Sequence, residues 1–492
     1  MKALSDSPSP LKQDPRKNFL LDTLKLGSGT ALAQAIAIIA VPFLSRLYLP
    51  ETIGVATLFA AIVIIFSSIS GFRYELSILL PKDEADGFLL FALHTLFTIV
   101  MGLVVGFIVW ILKAQIAFLF KEPKLEFYMW FVGPSIIIFG FMNGLNYWNT
   151  RRKRFKLIAT TKLLNSSFMV GLQLASGFLG FATSGALIAG NVMGKFVEDL
   201  VQAWKALYDK SKEKLKIDFS AAIVLLKRYK KFPIYYTGST LINTLSWYVP
   251  SFMLAAFFST QVVGYYAFAE RVIRMPMNTV GRAISQVFFQ RGAVAHREGS
   301  LKALYRDTVQ LLSQLGLVPM VVLTITGREI FTIILGAKWG EAGIFAQILA
   351  LYAFVWFATS PITTLLSVIE RQEVSLYFNI VNLTTRVLSL LVGGLLKSPQ
   401  LGLYLFSISG IVIYGWLLLW LGKVVGVPII RTLGDMLKPT FIAVIAITVI
   451  LVFMKIVNLS DIMTVAASII LLIVYYAFSV KKYRHFFKSS GN

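Results

Sequence analysis

Fourteen apolar stretches of about membrane-spanning length run through the chain, and Lys/Arg clusters fall in every second gap between them. A bilayer core of ~30 Å needs about 20 apolar residues as a helix. The stretches lie near 26–48, 52–79, 88–112, 127–149, 157–179, 183–204, 232–257, 263–289, 308–326, 341–369, 374–396, 400–421, 439–457 and 461–480. The connectors between them are too short for a folded domain outside the membrane. The expected fold class is therefore all-α and polytopic, with about 14 transmembrane helices. Charged residues make up 14% of the chain, well under the ~25% of a soluble domain, which agrees.

The Lys/Arg distribution sets an expected orientation. The N-terminal segment, Lys82, the run Arg151–Lys156, the segment Lys205–Lys231, Arg291–Arg306, Arg371, Lys423–Lys438 and the tail from Lys481 together hold 32 of the 47 basic residues. The alternate gaps (Arg46, Lys113, Lys121, Lys124, Arg328, Lys338, Lys397, Lys455) hold 8. By the positive-inside rule both termini are expected to be cytoplasmic. The first stretch is too long for a signal peptide and is expected to remain as the first span. The net charge of +23 belongs to helix ends, where it serves topology and anionic lipid headgroups, so membrane lipids rather than nucleic acid are the expected partners. The loop 205–231 is expected on the cytoplasmic membrane surface. With no cysteine and three scattered histidines (His94, His296, His485), no metal site is expected.

Seven basic residues remain inside the spans: Arg73, Lys162, Lys195, Arg271, Arg274, Arg282 and Arg386. Each needs a partner, a wet cavity or a function, because a charge near mid-bilayer costs at least ~2.5–3.5 kcal/mol. Lys162 is close enough to a helix end to snorkel, and no role is assigned to it. Arg73 lies ~28 Å along its helix and either snorkels as well or faces the cavity. On the eighth span Glu270, Arg271, Arg274, Asn278, Arg282, Ser285 and Gln286 fall within about 160° of arc. One wall of that helix should face water or a polar ligand, with Arg274 ~15 Å from the outer end. An intrahelical Glu270–Arg274 pair would neutralise one arginine and leave two.

The eleventh span repeats the pattern with Asn379, Asn382, Arg386 and Ser389. The sixth carries Lys195, Glu198, Asp199 and Gln202, where a Lys195–Asp199 ion pair is expected. Ser28, Thr30 and Gln34 of the first span and Ser239, Asn243 and Ser246 of the seventh either complete the cavity wall or join helices. Intramembrane cations outnumber acids, which points to an anionic substrate.

An offset of 210 residues superposes Thr30 on Thr240, Ile53 on Val263, Gly54 on Gly264 and Gly71 on Gly281. Spans six apart run in the same direction, so the expected organisation is two parallel six-helix lobes with substrate bound between them. The expected units are a cytoplasmic segment 1–25, a first lobe 26–207, a basic linker 208–231, a second lobe 232–421, a cytoplasmic loop 422–438, a helix pair 439–480 and a tail 481–492. Pro42, Pro250, Pro276, Pro319 and Pro361 lie inside helical patterns and permit kinks. No Walker motif, no long outer loop and no catalytic His/Asp/Ser grouping is present, so no enzymatic activity is expected.

The stretches RLYLPETIGVATLF (46–59), FRYELSILLPKDEADG (72–87), GLNYWNTRRKRFKLIA (144–159), YYAFAERVIRMPMNTVGRAISQVFFQR (265–291), WGEAGIFAQIL (339–349) and SVIERQ (367–372) resemble the polysaccharide-biosynthesis (Wzx-type O-antigen and exopolysaccharide) flippases. These belong to the multidrug/oligosaccharidyl-lipid/polysaccharide exporter superfamily, and the blocks run in order along most of the chain. The resemblance implies two six-helix lobes forming a V around a central cavity, with spans 13–14 as an extra helix pair. It implies a bacterial inner-membrane protein moving an undecaprenyl-pyrophosphate-linked oligosaccharide to the periplasmic leaflet, with other polysaccharide-assembly proteins as candidate partners.

On this view Arg271, Arg274, Arg282 and Arg386, with Arg73 and Arg46 as further candidates, attract the pyrophosphate during alternating access. Asn278, Gln286, Asn382, Gln34 and Asn243 add polar wall. Arginine suits the task because its planar fork holds phosphate bidentately and stays charged. No cofactor is expected, while H⁺ or Na⁺ coupling has candidates in Glu270, Glu198 and Asp199. The rival readings are a lipid II-type flippase or a drug/cation antiporter of the same superfamily, a membrane glycan polymerase or ligase, and a non-transporting scaffold. A carboxylate-lined cavity would favour the antiporter, and long outer loops the enzyme.

Overall fold

In a computed structural model the described residues are 29–213 and 218–488, and they form helices and turns with no strand. The expected 1–25 segment, part of the basic linker and the end of the tail lie outside them. The first lobe comprises α1 (Gly29–Leu47), α2 (Pro50–Ser67), α3 (Glu84–Ile111), α4 (Val132–Arg151), α5 (Phe155–Phe178) and α6 (Ser184–Lys212). The second comprises α7 (Thr237–Phe257), α8 (Thr260–Pro276), α9 (Arg282–Glu298), α10 (Leu301–Leu335), α11 (Gly340–Thr359), α12 (Gln372–Leu395) and α13 (Pro399–Val424). A short α14 (Ile429–Leu437) leads into α15 (Phe441–Ile456) and α16 (Asp461–Lys488).

Among the described residues nine helices are long and apolar enough to cross a membrane, against the fourteen spans expected. The bent α14–α15 pair makes ten. Helices α5, α6, α7 and α8 fall short because their polar residues dilute the apolar run. Three of them, α6, α7 and α8, carry candidate site residues from the sequence.

Two expected helices are interrupted. The second span does not continue to residue 79: α2 ends at Ser67, Phe72 and Arg73 adopt positive φ, and a 3₁₀ turn runs Tyr74–Leu79. Serines at 67, 68 and 70 turn back onto carbonyls three residues earlier, competing with helical bonds. The eighth span is α8, a π turn Met277–Gly281, then α9. Pro276 supplies no N–H to continue the ladder, and the π turn rotates α9 relative to α8 by about 100°, one residue's worth. The continuous polar arc expected from Glu270 to Gln286 is therefore broken after Arg274.

Within the first lobe α3 packs on α4, α5 on α6 and α2 on α4. In the second, α10 packs on α11 and α12 on α13. The lobes meet chiefly where α2 crosses α8. A Cβ on Gly54 would collide with the Thr260 carbonyl, and one on Gly264 with the Pro50 carbonyl. Position 50 maps to 260 under the 210-residue offset, as 54 maps to 264, so the contact is reciprocal under the repeat. Small residues at such crossings let backbones approach where lipid offers no hydrophobic drive.

More bonds lock the lobes at this end, the one away from the Arg151 and Arg306 loops. Trp339 donates its indole N–H to Ser45 O (2.8 Å), Ser45 Oγ donates to Leu335 O (3.0 Å), and Thr260 bonds Glu122 (3.1 Å). Trp339 also stacks on Phe268 at 4.1 Å. The sequence blocks 46–59, 265–291 and 339–349 thus converge on one joint.

At the other end, Arg151 donates to the carbonyls of Ile78, Pro81 and Asp83 and fixes the interrupted second span. Burial raises the Asp209 carboxyl, but hydrogen bonds and charge from Arg154, with Arg152 and Trp148, outweigh it and hold it below the usual carboxylate range. The linker helix Phe219–Arg228 buries Ala222 and Leu225 against Tyr74, Phe88 and Trp148 while Val224 stays exposed. α15 and α16 pack on the flank of α10, where Val318 and Val322 meet Ile447 and Leu451.

Candidate functional site

The richest polar and aromatic grouping lies inside the second lobe. A narrow cleft is lined by residues of α7, α8, α11, α12 and α13, among them Trp247, Glu270, Arg274, Tyr352 and Arg386. The Arg274 guanidinium lies 4.2 Å and that of Arg386 4.7 Å from the Trp247 ring centre. Cations over an indole face are held by its quadrupole, more strongly when desolvated. Arg386 is nearly sealed at 3% exposure, donating to Ser246 O (3.1 Å), Ser246 Oγ (3.2 Å) and the Tyr352 hydroxyl (2.9 Å). It makes no carboxylate pair among the described residues. Arg274 is more open, at 27%, and pairs with Glu270 at 2.6 Å, while Tyr266 donates to the same carboxylate at 3.2 Å. Two cations and one anion leave the cleft electropositive.

The remaining candidates are dispersed. Arg271 points to the lobe interface, donating to Ala37 O of α1 at 2.9 Å. Arg282 and Gln286 are exposed beyond the π turn, and Arg282 acts electrostatically on Lys162 of α5 in the first lobe. The side chain of Asn278 lies outside the described residues. Asn382 is buried and donates to the Tyr414 hydroxyl at 3.4 Å, behind the cleft. Gln34 is half-buried on α1, and Asn243 is exposed on α7, one turn from Trp247. Arg46 is exposed at the lobe joint, its carbonyl accepting from Lys338. Arg73 is far from the cleft in sequence and space: it pairs with Glu75 at 2.9 Å inside the first lobe.

In the sixth span the expected Lys195–Asp199 pair is not the one formed. Lys195 bonds Glu198 at 3.1 Å, three residues on, and Asn165 donates to the same oxygen at 2.7 Å. The amide of Asn165 draws Glu198 toward α5 and brings it within reach of Lys195, leaving Asp199 buried with Oδ1 lacking a hydrogen-bond partner among the described residues. Lys162, to which the sequence assigns no role, stands in the field of Glu198, Lys195 and Arg282. The sequence also passes over Trp247, Tyr266, Tyr352, Trp356 and Phe406. Aromatics in apolar helices carry no distinguishing signal. Only the offset of Arg386 and Arg274 from the ends of their spans marked the place.

Comparison with known proteins agrees with this architecture. A family model described as polysaccharide biosynthesis protein matches residues 43–343. The lipopolysaccharide biosynthesis protein WzxC of Escherichia coli K12 is 23% identical over 167 residues, 33% of this chain and 34% of that protein. The chain thus matches about a third of that relative's length. Among solved structures, the lipid II flippase MurJ in an inward closed conformation superposes with a TM-score of 0.72 at 16% identity, covering 95% of this chain and all of that one. A multidrug resistance MATE family transporter of the MOP superfamily, inward-facing, gives 0.54 at 13% identity over 82% and 94%. A MOP superfamily transporter from Pyrococcus furiosus gives 0.51 at 14% over 86% and 97%. These likenesses show the fold.

Proposed function

The chain belongs to the polysaccharide biosynthesis protein family, and from that premise we propose that it is a flippase moving a polyprenyl-pyrophosphate-linked oligosaccharide across a bacterial inner membrane. The observation that carries the reading is the pair of guanidinium groups on opposite helices, Arg274 and Arg386, both within 5 Å of the Trp247 ring in an electropositive cleft. Arg386 is committed to protein partners and sets the field. Arg274 is the open one, and its fork is free to exchange Glu270 for a phosphate oxygen. The surrounding rings offer apolar faces to sugars.

The Lys/Arg asymmetry supports an orientation with both termini cytoplasmic and the Gly54–Gly264 joint toward the periplasm. In that orientation the joint closes the outer side, and headgroup and glycan enter between the lobes from the cytoplasm while the polyprenyl tail stays in lipid. Opening the joint and closing the inner side completes alternating access. A drug/cation antiporter fits less well, since the cleft holds more cation than acid.

The test is glycan output from a deletion strain complemented with Arg274 variants at matched membrane protein levels. Loss of one charge-assisted contact weakens headgroup binding by roughly 10- to 150-fold. Arg274→Ala is expected to abolish surface polysaccharide and leave lipid-linked glycan in the cytoplasmic leaflet, and Arg274→Lys to rescue part of it. Full output from Arg274→Ala would overturn the assignment.

A further inference from the structure

The interrupted second span contains a buried ionic group that the cleft does not use. His94 of α3 and Glu75 of the 3₁₀ turn are 1% and 2% exposed, and His94 Nδ1 lies 3.2 Å from Glu75 Oε2. The other ring nitrogen, Nε2, is 3.1 Å from the carbonyl oxygen of Gly140 on α4. A carbonyl only accepts, so Nε2 carries a hydrogen. In a neutral imidazole Nδ1 is then a lone pair facing a carboxylate oxygen. Among the described residues neither Nδ1 nor Oε2 has an aligned hydrogen-bond partner. Two buried acceptors in contact, with no other partner for either, repel and forfeit the solvation both have lost. One added proton turns the repulsion into an ion pair.

The surroundings decide where that proton sits. Arg73 pairs with the other Glu75 oxygen at 2.9 Å, so the carboxylate already faces one cation and the imidazole Nδ1 is the atom left to receive the proton. Tyr147 of α4 is the further titratable group that interacts with both Arg73 and Glu75. Neutral Ser70 and Thr98 bond each other one helical turn further in, at 3.3 Å. The ring is wedged between glycines: a Cβ on Gly71 would collide with the His94 ring, and one on Gly144 would come within 2.5 Å of it. The imidazole cannot swing to another partner without moving the turn that carries Glu75.

We propose that Glu75 and His94 form a proton-binding site in the first lobe, and that its occupancy holds the 68–79 turn against α3 and α4. With the proton bound, His94 donates from both nitrogens, to Gly140 O and to Glu75. On release, Nδ1 and Oε2 separate and the turn loosens. That turn continues α2, whose other end forms the Gly54–Gly264 joint, so proton occupancy biases the lobe movement. The site is independent of what the cleft binds, and neither Glu75 nor His94 touches that cleft.

The chain has three histidines and no cysteine, which makes two direct measurements practical on the full-length protein. In nitrogen NMR of histidine-labelled protein, assigned by the signal lost in His94→Gln, wild-type His94 at pH 6 is expected to carry hydrogen on both ring nitrogens. In Glu75→Gln the Nδ1–H is expected to be lost and the neutral Nε2–H form to remain. A neutral His94 in the wild type at pH 6 overturns the proposal, whether or not Glu75→Gln folds. For the coupling, spin labels on Lys82→Cys and Arg371→Cys report lobe separation. A distance that changes between pH 6 and pH 9 in the wild type and is fixed in Glu75→Gln supports it. A distance insensitive to pH, or one that responds equally in both proteins, overturns it.

Discussion

The two lobes share a backbone plan and differ in how they treat charge. In the first, the membrane-embedded cations stand beside acids: Arg73 with Glu75, and Lys195 with Glu198, which Lys162 also feels. In the second, Arg386 rests on hydroxyls and rings, Arg271 on a carbonyl and Arg274 on a carboxylate. A repeat thus keeps the helix crossings, as Gly54 and Gly264 show, without keeping the chemistry between them. In the reading proposed above, the first lobe balances and moves small charges internally, and the second presents positive charge to something arriving from outside.

The largest effect is expected at the shared joint. Gly54→Val and Gly264→Val each put side-chain carbon into a facing backbone carbonyl. Overpacking of this kind costs about 1–3 kcal/mol or more. Both are expected to abolish polysaccharide export by preventing closure of that end, and to do so equally, because the contact is reciprocal. Spin-label distances across the joint check this, and a severe effect from one glycine beside a mild one from the other would break the symmetry.

A smaller effect sharpens the claim that first-lobe acids serve the lobe itself. Asp209 is held below its ordinary value of ~3.9. Its pairing with Arg154 therefore stabilises fully above that value and is lost as pH falls through the folded one. Asp209→Asn is expected to cost about 1–3 kcal/mol at pH 7, read as a lower Tm in detergent, with the gap to wild type closing in acid. A gap that persists unchanged at pH 3 would contradict the ionic role.

The sequence made the helices, the repeat and the charge-bearing spans legible because apolar length and Lys/Arg placement are local signals. It could not show the turn at 68–79, which depends on Arg151 gathering the carbonyls of Ile78, Pro81 and Asp83, and at 277–281 it showed only that Pro276 permits a kink, not that the break takes the form of a π turn. The arginines of the cleft were visible as misplaced charge. Trp247 and Tyr352 were not, since aromatics are common throughout apolar helices, and His94 looked isolated because Glu75 reaches it only through the broken helix. Lys162 is the mildest case. It was within snorkelling reach of a helix end, yet it stands in the field of Glu198, Lys195 and Arg282, and Lys162→Ala is expected to change export by less than about fivefold, the scale of a partly exposed charge interaction. A loss as deep as that of Arg274→Ala would move part of the anion site into the first lobe.

The division between lobes is tested most directly by the lipid that stays bound when the protein is purified from native membranes. Mass spectrometry of wild type, Arg274→Ala and His94→Gln at equal protein is the measurement. A polyprenyl-pyrophosphate glycan bound to wild type and His94→Gln, and lost from Arg274→Ala, is the result this account predicts. Equal retention of that lipid by Arg274→Ala would contradict it.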